Sequence, residues 1–252
     1  MTGTAEPGVP ETAGVVVVLV HAAWADGSSW NKVIAGLRSA GVKAVAVPLP
    51  LTTLADDVAA LDRTLERVEG PVVVAGHAYA GAVIASTRSE SVASLVYITA
   101  LAPDEGETVG DVYYWAEHHP EAPALGPDAH GLIWLPEEAF SRAFAQHATP
   151  LEQALLAATQ RPLAAACISV PVPRPLWKDL PSWFLVADED RMIPGETQRF
   201  MAERMKATVH TAPADHVPMI TKAPAVVDVL LEAVREAESN RTSNRKEENS
   251  HG

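Results

Sequence analysis

Cysteine is nearly absent: Cys167 is the single one in 252 residues, so no internal disulfide can form. No Cys/His cluster has zinc spacing, and His118-His119 lacks a spaced partner, which reads as a solvated loop pair. Long apolar runs are missing as well. The longest aliphatic stretch, Val15–Val20, falls far short of the roughly 20 residues that span a bilayer. Basic residues are few, 19 Lys and Arg against 32 Asp and Glu, for a net charge of −13. So acidic a surface repels phosphate backbones and anionic membranes, and neither nucleic acid nor membrane is an expected partner. There is no glycine-rich phosphate loop with its lysine, and Gly76 opens no G-x-G-x-x-G, so no cofactor is indicated. The opening MTGTAEPGVPETAG has neither a charged n-region nor an apolar core. No secretory leader is expected, and a cytoplasmic location is.

What the chain has is the apolar content of an ordinary folded protein, 48% hydrophobic and 20% charged. Residues 1–13 and 238–252 carry no periodicity and read as disordered tails around a single domain over 14–237. Inside it, β-branched runs alternate with helical stripes. Val15–Val20, Val42–Val47, Val72–Ala75 and Ser94–Thr99 read as strands. Helices are expected from Trp30 to Leu37, from Leu54 to Val68 and from about Gly81 to Ser89. The rhythm breaks after Ala102 and resumes with a strand at Trp183–Ala187, a helix to Met205, a strand at Thr208–Ala212 and a helix over Ala225–Ala237. Such alternation means an α/β fold with a mostly parallel, doubly wound sheet. The Pro- and aromatic-rich section at about 103–180 reads as an inserted helical cap, with a helix capped by Thr149 and Glu152 and led by Pro150.

Four loops carry the chemistry. After the third strand comes Gly76-His77-Ala78-Tyr79-Ala80-Gly81, small enough at 76, 80 and 81 for a sharp strand-to-helix turn. That turn lifts residue 78 to the carboxyl edge of the sheet, the place a nucleophilic serine occupies in G-x-S-x-G sites. Here it is alanine. His21-Ala22-Ala23-Trp24 follows the first strand, and the Ala23 and Tyr79 amides are paired as a candidate oxyanion hole. Asp188-Glu189-Asp190 and Asp215-His216 follow the late strands, at the edge where parallel sheets hold their functional residues. His216 is the candidate base. His77 and Cys167 read as packing residues.

The stretches VVVLVHAAWADGSSW, VVVAGHAYAG, YITALAPDEGE, WFLVADEDRMIP and ADHVPMI resemble the α/β-hydrolases. They are similar to compact bacterial esterase-like members and to the plant methylesterase and hydroxynitrile lyase group. By that resemblance Asp190 is the acid, Asp188 a weaker candidate, His216 the base, and Ala23 with Tyr79 the oxyanion hole. Two departures stand out: His21-Ala22 replaces the usual His-Gly, and Ala78 replaces the nucleophile. The implied substrate is a small apolar carbonyl compound, with Trp24, Trp115, Trp134 and Trp177 as candidate pocket aromatics. Ester or lactone hydrolysis comes first, Ala78 then standing for a substituted serine. The alternatives are a native enzyme using a His216–Asp190 dyad for lyase, cyclase or decarboxylase chemistry, and a binding protein without turnover.

Overall fold

The computed structural model describes residues 14–250, apart from the side chains of 244–250. The expected tail at 1–13 lies outside the described residues. Strands and helices alternate through β1 (Val16–Val20), α1 (Asn31–Ser39), β2 (Lys43–Val47), α2 (Leu54–Leu65), β3 (Val72–His77), α3 (Ala80–Ser86) and β4 (Val92–Ile98). A long section follows with α4 (Val109–Tyr113), β5 (Leu132–Ile133), α5 (Glu137–Ala139), α6 (Pro150–Thr159) and β6 (Leu163–Ala164). The chain then closes with β7 (Ser182–Ala187), α7 (Gly195–Arg204), β8 (Thr208–Ala212), α8 (Pro218–Thr221) and α9 (Ala223–Ser250).

Six strands form one parallel sheet in the order β2-β1-β3-β4-β7-β8. Every residue of β1 and β3 is buried, which explains their unbroken valine runs: helices cover both faces, so alternation with polar residues has no place. On α1, Val33 and Leu37 are fully buried beside Trp30. Each such side chain contributes about 1.5–3 kcal/mol by leaving water. From α9, Val226, Val229, Leu230, Ala233 and Val234 close the core against β3, β4 and β7. The sequence places the six strands of this sheet close to where they are found, and in β1, β3 and β7 burial on both faces leaves little choice of residue.

Two expectations need correction. The helix expected to stop at Ala237 runs to Ser250, so residues 238–250 are helical rather than a disordered tail. A helix already nucleated by packing propagates at little cost, and Glu, Arg and Lys support it. The Thr242 and Ser243 hydroxyls also donate to the carbonyls of Glu238 and Ser239, one turn back. The section at 103–180, in turn, is not wholly helical: β5 and β6 pair antiparallel. Two residues per strand are too few for a period to show in the sequence. The Thr149–Glu152 capping box and its Pro150 stand as expected. This section is tied to the sheet edge by Trp24 Nε1–H donating to Ile133 O (2.9 Å) and Ala164 N–H donating to Leu51 O (3.0 Å). Among the described residues no helix is long and apolar enough to cross a membrane.

Candidate active site

The turn after β3 is built on steric necessity. A Cβ at Gly76 would sit 2.8 Å from the Ala80 carbonyl oxygen, and one at Gly81 would strike the Leu101 carbonyl. Only glycine allows the strand to pass so directly into α3. Ala78 is held at φ 47°, a conformation an L-residue adopts at a cost of about 1–2 kcal/mol. Its carbonyl is locked by the amides of Gly81 (3.1 Å) and Leu101 (2.9 Å). Trp24, Leu51 and Thr99 also have positive φ, at 57°, 61° and 44°. These four lie just beyond the carboxyl ends of β1, β2, β3 and β4. Four of the five described non-glycine residues with positive φ, Lys206 before β8 being the fifth, lie along one edge of the sheet, which points to that edge as the working surface.

His216 lies over this edge with its side chain almost wholly buried. Its Nδ1 meets Asp190 Oδ2 at 2.9 Å, and Nε2 has no hydrogen-bond partner among the described residues. Asp190 is itself fixed by the amides of Met192 (2.7 Å) and Ile193 (3.0 Å) and by Gln198 Nε2 (2.9 Å). Gln198 also accepts from Ala187 N–H and donates to Ile193 O, so it joins the end of β7 to α7. Asp215 braces the histidine loop, taking hydrogen bonds from His147 N–H, Val217 N–H and Thr221 Oγ1–H. Neither Gln198 nor Asp215 carries a sequence signal as a partner, since each pairs only through the fold. Asp188 is excluded from this arrangement: it pairs with Arg199 at the surface.

Ala23, Trp24, Ala78, Tyr79 and His216 all line one cavity of about 250 Å³. Most of its wall is aliphatic, from Leu101, Val109, Leu125, Ile133, Leu163 and Met192, and no Lys, Arg, Asp or Glu lines it. Neither the Ala23 nor the Tyr79 amide is engaged in the backbone hydrogen bonds of the neighbouring turns. Of the expected pocket tryptophans only Trp24 is there. Trp115 is exposed and stacked on Phe200, because α4 ends before it; Trp134 faces out next to the inward Ile133; Trp177 is buried away from the cavity. Tyr113 and Tyr114 line the cavity instead. His118, expected as solvated, is half-buried with Nε2–H donating to Tyr113 O at 3.0 Å. Among the described residues no cluster of three or more His, Cys, Asp or Glu could hold a metal ion.

The floor holds buried polar groups. His77 Nε2–H donates to His216 O (2.7 Å), while His21 bonds Ala22 O and accepts from Leu49 N–H (3.1 Å). Burial pushes both imidazoles below the usual histidine value, His77 strongly. The folded state therefore binds fewer protons than the unfolded chain as pH falls below about 6.5. Stability is expected to drop from pH 7.5 to 5.5, with His77, the more strongly shifted of the two, contributing a slope of at most ~1.4 kcal/mol per pH unit. Urea unfolding at the two pH values measures it, and a flat profile would contradict it. Asp57, fully buried, accepts from Tyr79 Oη–H and Leu51 N–H (both 2.7 Å) and from Cys167. Burial pushes the Cys167 thiol up to about 12, which keeps it protonated and inert.

Known proteins share this arrangement of strands. Polyneuridine aldehyde esterase superposes with a TM-score of 0.76 at 19% identity, covering 87% of this chain and 99% of its own. A pyrethroid hydrolase from Sphingobium faniae JZ-2 gives 0.74 at 19% identity, covering 88% and 98%. Tomato methylketone synthase I, as a histidine-to-alanine variant with β-ketoheptanoate, gives 0.75 at 20% identity, covering 89% and 99%. The same synthase is also solved with 2-tridecanone. At these identities the likeness establishes the fold. No curated protein matches the sequence. The model of the family described as "Alpha/beta hydrolase family" matches residues 17–229, nearly the whole described chain, and the protein belongs to that family.

Proposed function

We propose that the protein is a cofactor-free enzyme that decarboxylates a small 3-keto acid, His216 and Asp190 acting over Ala78 without a covalent intermediate. One observation carries this reading: a complete imidazole–carboxylate pair faces an apolar cavity in which the nucleophile position bears only a methyl group. A methyl cannot attack a carbonyl, so acyl transfer has no first step. Proton transfer by His216 remains available. The ligands of methylketone synthase I, a 3-keto acid and a methyl ketone, are the chemistry such a pocket suits.

In this reading the Ala23 and Tyr79 amides hold the keto oxygen and the section at 103–180 caps the site. His216 Nε2 takes the carboxyl proton, Asp190 stabilising the imidazolium. The bond from C1 to C2 breaks, carbon dioxide leaves, and the electron pair passes onto the keto oxygen as an enolate held by the two amides. His216 then returns the proton to C2. One keto acid gives one methyl ketone and one carbon dioxide. The cavity of about 250 Å³, with its mostly aliphatic wall, suits a small keto acid.

A second reading, ester or lactone hydrolysis with serine at position 78, is favoured by the strained turn, which is kept as a nucleophile would need it. The purified chain with 3-ketoheptanoate separates the two. Decarboxylation predicts saturable formation of 2-hexanone, at least about 100-fold above the uncatalysed rate. Background levels of ketone would end that reading.

A further inference from the structure

Two separate costs built into the sheet edge converge on one carbonyl oxygen, that of His216. The first is at His77, the last residue of β3, which is almost wholly buried. Burial keeps its imidazole neutral, so the ring carries a single proton. The His216 carbonyl can only accept, which places that proton on Nε2 in the 2.7 Å hydrogen bond between them. Nδ1 is then a bare acceptor, buried and without a partner. The second cost is at Thr99, just beyond β4, a β-branched residue held at φ 44°. Glycine or asparagine would take that backbone with less strain. Thr99 is fully buried, and its hydroxyl donates to the same carbonyl at 3.2 Å.

The loop that carries His216 needs such support. It follows β8 at one edge of the sheet, and in the order β3-β4-β7-β8 it has to pass β7 to lie over the ends of β4 and β3. No amide of the turns around it reaches the His216 carbonyl. The geometry points to His77 and Thr99 as positioning residues that together clamp this carbonyl, and so hold the imidazole against Asp190 in the cavity wall. The clamp grips the main chain while Asp190 grips the ring, so the base is fixed at both ends. It serves any reaction in which His216 moves a proton, and does not depend on a keto acid being the substrate.

Paired variants test the clamp without any substrate. His77→Met and His77→Gln are close in size, but only the second can donate to the carbonyl. Thr99→Val and Thr99→Ser divide the hydroxyl in the same way. The readout is the tautomer of the His216 ring, seen in the long-range proton–nitrogen NMR correlations of its two nitrogens and assigned by their loss in His216→Ala. The native chain is expected to show one tautomer, protonated on Nδ1, because Asp190 accepts there. His77→Met and Thr99→Val are expected to shift both nitrogens toward the averaged values of a free imidazole, His77→Met further because its bond is shorter. His77→Gln and Thr99→Ser are expected to keep the native pattern. Like behaviour of the two variants within a pair removes that residue from the clamp, and an averaged ring in the native chain overturns the whole assignment. If His77→Met fails to fold, the Thr99 pair decides. Should the contrast hold while no ketone is released from 3-ketoheptanoate, the decarboxylation reading alone falls.

Discussion

Replacing His216 by alanine is expected to lower kcat for 3-ketoheptanoate by about 10²- to 10⁴-fold, the usual share of a positioned acid–base group. Binding of 2-hexanone should change little, because the imidazole gives the ketone no hydrogen bond that the two amides do not supply. The size of the effect follows from the isolation of the ring. It is the one titratable side chain of the cavity wall apart from tyrosines, and its Nε2 has no competing partner. Asp190→Asn should reproduce much of the loss, since Nδ1–H would lose the acceptor that fixes its tautomer and steadies the imidazolium. Steady-state kinetics with a ketone binding isotherm measure both quantities. Full activity in the alanine variant would remove the histidine from the chemistry.

Ala78→Ser is expected to have the opposite sign on a different substrate. The backbone already carries the strained φ of 47°, so the hydroxyl adds no further conformational cost. It would stand beside His216 Nε2 and the amides of Ala23 and Tyr79, which together make the parts of an acyl-transfer site. Hydrolysis of short-chain aryl esters should rise by about 10²- to 10³-fold, with a burst of alcohol product equal to the enzyme present. Decarboxylation should fall, because the serine hydroxyl would compete for the base. An unchanged ester rate would mean that the amides or the imidazole are not aimed at residue 78.

Much of this arrangement is legible from the chain alone, for identifiable reasons. Strands buried on both faces carry unbroken apolar runs, Val16–Val20 in β1 and Val72–Ala75 in β3, and so announce themselves. The turn at 76–81 needs small residues where backbones touch, and the loops bearing Asp190 and His216 follow strands whose carboxyl ends share one edge. What stays hidden depends on direction and on distant partners. Composition cannot tell that Ile133 faces the cavity while Trp134 faces solvent, nor that Trp115 stacks on Phe200. Gln198, Asp215 and Asp57 are ordinary polar residues in sequence. Their importance comes from hydrogen bonds to Asp190, to the histidine loop and to Tyr79, made across the fold. The continuation of α9 past Ala237 is hard to read because residues 238–243 are polar and mostly exposed, although the packed part of the helix carries them along.

The central claim is that proton transfer replaces covalent catalysis at this turn. Intact-mass spectrometry of the chain, sampled during turnover of 3-ketoheptanoate and scored alongside the 2-hexanone released, tests it most directly. The account predicts that ketone accumulates while the protein keeps its unmodified mass at every time point. An acyl adduct on the chain, or an unmodified chain that releases no ketone, would contradict it.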